Sequence, residues 1–139
     1  MNYLLDTDTC IYLMTDREPR RRERILTHLE ALPPDEIVYL SSVTVMELSY
    51  GAYKGRWRKA NTELLGHFLM DFTIAAFDEA AARIGGALRA SLEKKGKPIG
   101  PLDTLIAAHA LSLGAILVTN NTREFSRVSG LHVKNWSSA

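Results

Sequence analysis

Cysteine is almost missing from this sequence. Of its 139 residues only Cys10 carries a thiol, which excludes an internal disulfide, and no Cys/His cluster suggests a zinc site. Long apolar runs are missing too. None approaches the roughly 20 residues that a bilayer-spanning helix needs, and Met1 leads into a short apolar tripeptide rather than a basic leader. A charge excess of one sign is also absent: 17 Lys and Arg stand against 16 Asp and Glu, for a formal net charge of +1. Global electrostatics therefore does not nominate a nucleic-acid partner, and any such argument must come from local patches. No repeat, low-complexity tract or linker divides the chain. The expectation is one domain, residues 1–139, in a reducing cytoplasm.

What is present is an ordinary globular mixture, 46% hydrophobic and 24% charged, sufficient for a core of its own. Tyr3–Leu5 is a short apolar strand, and the threonines Thr7 and Thr9, with Asp8, offer caps for a helix over Cys10–Met14. Arg20–Leu32 places Ile25, Leu29 and Leu32 on one helical face before Pro33-Pro34 stops it. Ile37–Leu40 reads as a second strand, Val43–Tyr53 as a helix ended near Gly55, and Trp57–Met70 as another helix. Thr73–Phe77 is a third strand, followed by an alanine-rich helix, Glu79–Lys94, and a polar loop, Lys95–Gly100. Pro101 opens the helix Leu102–Leu113, since its missing N–H costs nothing at the first position. Gly114 ends that helix, Ala115–Val118 is a fourth strand, and His132–Asn135 is a candidate fifth at an edge. Alternating strands and helices predict an α/β fold: a three-layer αβα sandwich around a mostly parallel sheet of four to five strands.

In such sheets ligands bind beyond the carboxyl ends of the strands, where the strand order reverses. Several acids are candidates for that edge. Asp6 ends the first strand. Glu47 lies one turn into the helix after the second, in SSVTVMELSYG. Asp103 is in the first turn of IGPLDTLIAAHAL, with Ile106, Ala107 and Ala110 at helical spacing from it. After the fourth strand, VTNNTREF brings Thr119, Asn120, Asn121 and Glu124 to the same edge. Each has a purely structural alternative: Thr44-x-x-Glu47 fits a capping box, Asp103 complements a helix dipole, and Asp8 or Thr9 caps a helix. Convergence favours function, because two carboxylates about 4 Å apart repel by roughly 4 kcal/mol at an effective dielectric near 20. No lysine or arginine is local to Asp6 or Asp103, so Mg²⁺ or Mn²⁺ held by carboxylates and waters is the economical counter-charge.

The stretches LLDTDTCIYL, SSVTVMELSYG, PIGPLDTLIAAHAL and AILVTNNTREF, with GLHVKNW at the C-terminus, resemble the motifs of PIN-domain ribonucleases, in particular VapC-type toxins of bacterial toxin–antitoxin modules. The resemblance runs nearly end to end. It implies an Mg²⁺-dependent endoribonuclease, with Mn²⁺ as a substitute, that hydrolyses RNA phosphodiesters by a metal-activated water and inhibits translation. Transfer RNA, including initiator tRNA, and ribosomal RNA are among the substrates of relatives. By position, Asp6, Glu47 and Asp103 match the metal-binding acids, Asn121 stands where many relatives have aspartate, and Glu124 is near enough to replace it. Thr119 is placed to hydrogen-bond Asp6. Asp8 falls where relatives often carry asparagine. The resemblance further implies homodimerisation and a small cognate antitoxin that covers the site.

Two basic runs, REPRRRER and KGRWRK, supply Arg20, Arg21, Arg22, Lys54, Arg56, Trp57 and Arg58 as candidate RNA or partner contacts; as a structural alternative they solvate helix faces. None of the four histidines is expected to act in catalysis; His109, six positions beyond Asp103, turns away from its face. Cys10 is expected in the core. Competing readings are a catalytically silent PIN-like binding module and a D-x-D aspartyl phosphatase, the latter lacking a matching lysine and acidic pair.

Overall fold

In the computed structural model, which describes residues 1–139, every strand is short and every one runs in the same direction. The elements follow in the order β1 (Tyr3–Leu5), α1 (Thr7–Met14), α2 (Pro19–Glu30), β2 (Val38–Ser41), α3 (Ser42–Lys54), α4 (Arg58–Leu69), β3 (Thr73–Ala75), α5 (Glu79–Lys94), α6 (Pro101–Leu113), β4 (Ile116–Val118), α7 (Thr122–Phe125) and β5 (Val133–Lys134). The sheet order is β3-β2-β1-β4-β5. The chain thus grows outward from β1 in one direction through β2 and β3, then returns to the other side of β1 for β4. The switch point lies between β1 and β4, where Leu5 is paired with Val118.

Alternation along β1 divides the interior in two. Tyr3 and Leu5 point to one face and pack with Cys10, Leu13, Ile25, Leu48 and Leu65 from α1 to α4. Leu4 points to the other and packs with Leu92, Ile106, Ala107, Ala110 and Phe125 from α5 to α7. A strand covered on both faces reads as a continuous apolar run, as Tyr3-Leu4-Leu5 does. These are the three layers expected. Cys10 is fully buried. No helix is long and apolar enough to cross a membrane.

The differences from the expected boundaries have local causes. The first helix starts at Thr7, earlier than Cys10, because Asp6 rather than Asp8 or Thr9 is the N-cap, accepting from the Thr9 N–H at 2.9 Å. Ser41 caps α3 through the Val43 N–H, which places Thr44 and Glu47 inside the helix and removes the capping-box reading. Pro19 and Pro101 each occupy the first turn of their helix, and Gly114 closes α6 at φ 61°. The short helix α7 lies within a segment read only as a motif. A four-residue turn of helix shows no periodicity.

His109 is buried on α6, its Nδ1 2.8 Å from Ser41 Oγ and its ring edge-on to Phe77. Burial lowers its pKa, against an opposing pull from Asp78 and the Ala76 backbone. The imidazole is thus a neutral cross-brace between α6 and the start of α3.

Leu5 is fully buried at the centre of the sheet whereas Met46 is 53% exposed. Leu5→Ala is expected to lower unfolding free energy by about 2–5 kcal/mol. Met46→Ala should change it by no more than about 0.5 kcal/mol. Urea denaturation of both variants checks this contrast.

Candidate active site

Asp6 follows β1 directly, and its backbone N–H remains tied to the sheet through the Val118 carbonyl at 3.0 Å. Its carboxylate is 6% exposed. Such burial is tolerable because Oδ1 caps α1, where unpaired N–H groups and the helix dipole favour an anion. Burial still raises its pKa; hydrogen bonds with Thr119 and Thr9 oppose the rise, and the Asp8 charge adds to it. Thr119, at the end of β4, accepts the Asn121 N–H at 3.0 Å while serving Asp6. The two central strands therefore meet at the switch point through a carboxylate and a hydroxyl.

Asp103 approaches from the first turn of α6 and is half-buried. Its pKa is raised to about 6, first by desolvation, then by the charges of Glu124 and Asp6, by a hydrogen bond with Glu124, and by Asp8. Glu124, on α7, accepts the Gly100 N–H at 3.0 Å and is gripped by the Asn121 amide. A Cβ at Gly100 would stand 3.4 Å from Asp103 Oδ2, in ordinary van der Waals contact, so Gly100 lies directly against the Asp103 carboxylate. Asp6, Asp103 and Glu124 are thus brought together, with Asp8 exposed at the margin.

Glu47 is placed differently. Its Oε1 accepts the Thr7 hydroxyl at 2.7 Å, and Thr7 in turn lies 3.1 Å from Thr44 Oγ1. This bond ties α3 to the residue after Asp6, while the Glu47 charge does not contribute to the shift of either aspartate. No group of three or more acidic, histidine or cysteine side chains is placed to hold a metal ion. The expected trio of Asp6, Glu47 and Asp103 is therefore not assembled around a single point; Glu47 is held one contact away by Thr7. Asn120 also leaves the group, donating to the Tyr12 hydroxyl at 3.1 Å.

The cluster has no internal counter-charge. The ion pairs of the chain join Met1 to Glu36, Arg83 to Glu79 and Arg89 to Glu93, all elsewhere. An oxygen-only donor set with crowded carboxylates and no cation fits a hard divalent ion. Mg²⁺ in particular uses one or two carboxylates plus waters rather than an all-protein cage.

The PIN domain model matches residues 3–131, a span that includes every acid described above. The chain belongs to the PIN-domain family. Within it, the chain is 40% identical over 137 residues to the tRNA(fMet)-specific endonuclease VapC of Shigella flexneri, covering 99% of each. Among solved structures it is similar to VapBC2 from Rickettsia felis bound to a promoter DNA fragment, at 37% identity and TM-score 0.88, over 98% of this chain and 99% of that one. It is likewise similar to VapBC-1 from nontypeable Haemophilus influenzae, at 32% identity and TM-score 0.90, over 99% and 100%.

This PIN domain uses its basic runs unequally. Arg22 donates to the Leu13 carbonyl at 3.0 Å, and Arg21 lies over the Tyr12 ring and reaches Ser137 Oγ, so both fasten α2 to the body. Arg20 is exposed. Arg56 lies over the exposed Trp57 ring, Lys54 over Tyr50 and Arg58 over Tyr53. The sequence offered Thr7 only as a helix cap; its tether to Glu47 has no signature without the fold.

Because the Asp103 carboxyl titrates near 6 in the fold against 3.8 when unperturbed, its effect has a definite sign. An acid with a raised folded pKa favours the native state when protonated, and that advantage is lost as pH rises through the folded value. In metal-free buffer Asp103→Asn is therefore expected to raise Tm at pH 7–8, with the gain shrinking to nothing below about pH 4. Thermal melts across pH with EDTA present check this; a lower Tm at pH 7–8 would identify Asp103 as chiefly a helix-stabilising residue.

Proposed function

We propose that this PIN-domain chain is an Mg²⁺-dependent endoribonuclease and the toxin half of a toxin–antitoxin pair, hydrolysing RNA phosphodiesters and thereby inhibiting translation. The observation that carries the reading is the half-buried Asp103, near enough to Asp6 and Glu124 to feel both charges, with no lysine or arginine paired to any of the three. The names of relatives support RNA, and specifically tRNA(fMet), as the substrate class. Complexes titled VapBC support a cognate antitoxin.

Asp6 and Asp103 are assigned as principal ligands of the ion, with Mn²⁺ as a substitute. A divalent ion bound there would lower the pKa of a water at neutral pH and stabilise charge developing on the phosphate oxygens. The chain's residues supply rigidity around that chemistry. The α1 cap and Thr119 fix the Asp6 carboxylate, and Asn121 and the Gly100 N–H fix Glu124 against Asp103. Glu47, anchored by Thr7, is assigned as a further ligand or as the group that positions the attacking water. Such hydrolysis leaves a 5′-phosphate and has no need of the substrate 2′-hydroxyl or of a histidine, and His109 is already committed to Ser41.

Lys54, Arg56, Trp57 and Arg58, with exposed Tyr50, Tyr53 and Leu64, form an aromatic and cationic face that we assign to RNA or partner contact, together with the exposed Arg20 of α2. An exposed apolar patch of this kind also suits a protein partner, whether antitoxin or a second copy in a homodimer. Intact acids at Asp6, Glu47 and Asp103 favour this reading over a silent binding module.

RNA cleavage is expected to stop with EDTA and return with Mg²⁺ or Mn²⁺, leaving 5′-phosphate ends. Asp6→Asn and Asp103→Asn should each lower kcat by about 10²-fold or more, on the scale of removing one transition-state contact. Cleavage indifferent to chelation would remove the metal from the proposal.

A further inference from the structure

Beside the acid cluster, on the other side of the loop that leads into α6, lies a pocket of about 400 Å³ lined by Gly96, Lys97, Pro98, Arg123, Ser126 and Arg127. It holds three cations, one hydroxyl and no carboxylate, and none of those cations belongs to an ion pair of the chain. Its geometry is tied down. Arg127 Nη1 donates to the Pro98 carbonyl at 3.1 Å, which fixes the guanidinium against the loop. Gly96, at φ 69°, makes the turn that carries Lys97 to the rim.

The same two segments also border the acids. Glu124, next in the chain after Arg123, takes the Gly100 N–H two residues beyond Pro98. One side of this loop and helix therefore faces the carboxylates while the other presents unneutralised positive charge. We propose that Lys97, Arg123 and Arg127 bind a non-scissile backbone phosphate of the RNA strand, holding it beside the acid cluster. The inference rests on the endoribonuclease reading and adds to it a binding site on the α7 side.

The chemistry selects phosphate over a base. The pocket has no aromatic platform on which a base could stack, whereas guanidinium and ammonium groups match phosphate oxygens. A strand approaching Asp6, Asp103 and Glu124 meets negative charge, and a phosphate held by cations on the neighbouring loop and helix offsets part of that repulsion. Lys94 and Lys95, just before Gly96, extend the positive field. Contacts of this kind position a strand and carry no sequence information.

The experiment measures hydrolysis of an unstructured, fluorophore-labelled RNA oligonucleotide by the full chain with Mg²⁺ over a range of salt concentrations. Lys97→Gln/Arg127→Gln should raise KM roughly tenfold near 0.15 M salt with kcat within about twofold, equally for oligonucleotides of different sequence. The slope of log kcat/KM against log salt should become shallower by about 1.4, at about 0.7 per phosphate contact in a single strand. Lys97→Gln, which breaks no internal hydrogen bond, should account for about half of that change, and Arg127→Lys should restore the slope. Unchanged KM and slope in the double variant, with the unmodified chain cutting normally, would overturn the phosphate site while leaving the ribonuclease reading intact. Weakened capture of an antitoxin with an unchanged slope would also overturn it, assigning the pocket to the protein partner. Failure of the unmodified chain to cut any RNA would overturn the ribonuclease reading and this inference together.

Discussion

The burial of Asp6 at the end of β1 is the constraint around which the molecule is arranged. A carboxylate placed against a core is unfavourable unless something favours its charged form. Here the open end of α1, the Thr119 hydroxyl and the Thr9 N–H meet that requirement in part. They do so from β4 and α1, so the same contacts that make the acid tolerable also join the two central strands to the first helix. Asp103 and Glu124 then add negative charge to a place that already holds it, and the protein contributes no cation in return. The local cost to stability and the proposed affinity for a divalent ion have one origin.

Topology explains why these particular residues meet. Parallel strands send all their carboxyl ends to one edge, and the order β3-β2-β1-β4-β5 opens a crevice beside β1 and β4. Helices that follow the strands begin at that edge, so their first turns carry Asp8, Thr44 and Glu124 toward it, with Glu47 one turn further along α3. Asp103 reaches it from α6, the helix that precedes β4. Ser41 and His109 brace α6 against the base of α3, fixing the relative height of the helices that bear Asp103 and Glu47.

Much of this was legible in the order of residues. Apolar runs between turn signals marked the strands, Pro101 marked a helix start, and Gly114 marked a stop. Acids lying just beyond strand ends announced the edge where they would gather. What stayed hidden depends on side-chain geometry. Asp6 reads as a strand terminus and a ligand, with the cap expected at Thr7, Asp8 or Thr9, yet it is Asp6 that caps α1. Thr44-x-x-Glu47 satisfies a local capping pattern, yet Ser41 takes that role because β2 extends to it. Arg21 and Arg22 look like a solvated basic run until α2 folds back on Leu13 and Ser137. The pairing of Glu124 with Gly100 spans 24 positions and has no periodic trace.

The pairing of β1 with β4 joins the first residues of the polypeptide to its last quarter, and the Thr9 hydroxyl bonds the Val118 carbonyl across 109 positions. Contacts so distant in sequence form late, since the entropy of closing the loop must be overcome first. During synthesis Asp6 leaves the ribosome early and waits for Asp103, Thr119 and Glu124 to follow. An incomplete chain consequently has no assembled acid cluster until β4 and α7 have been made.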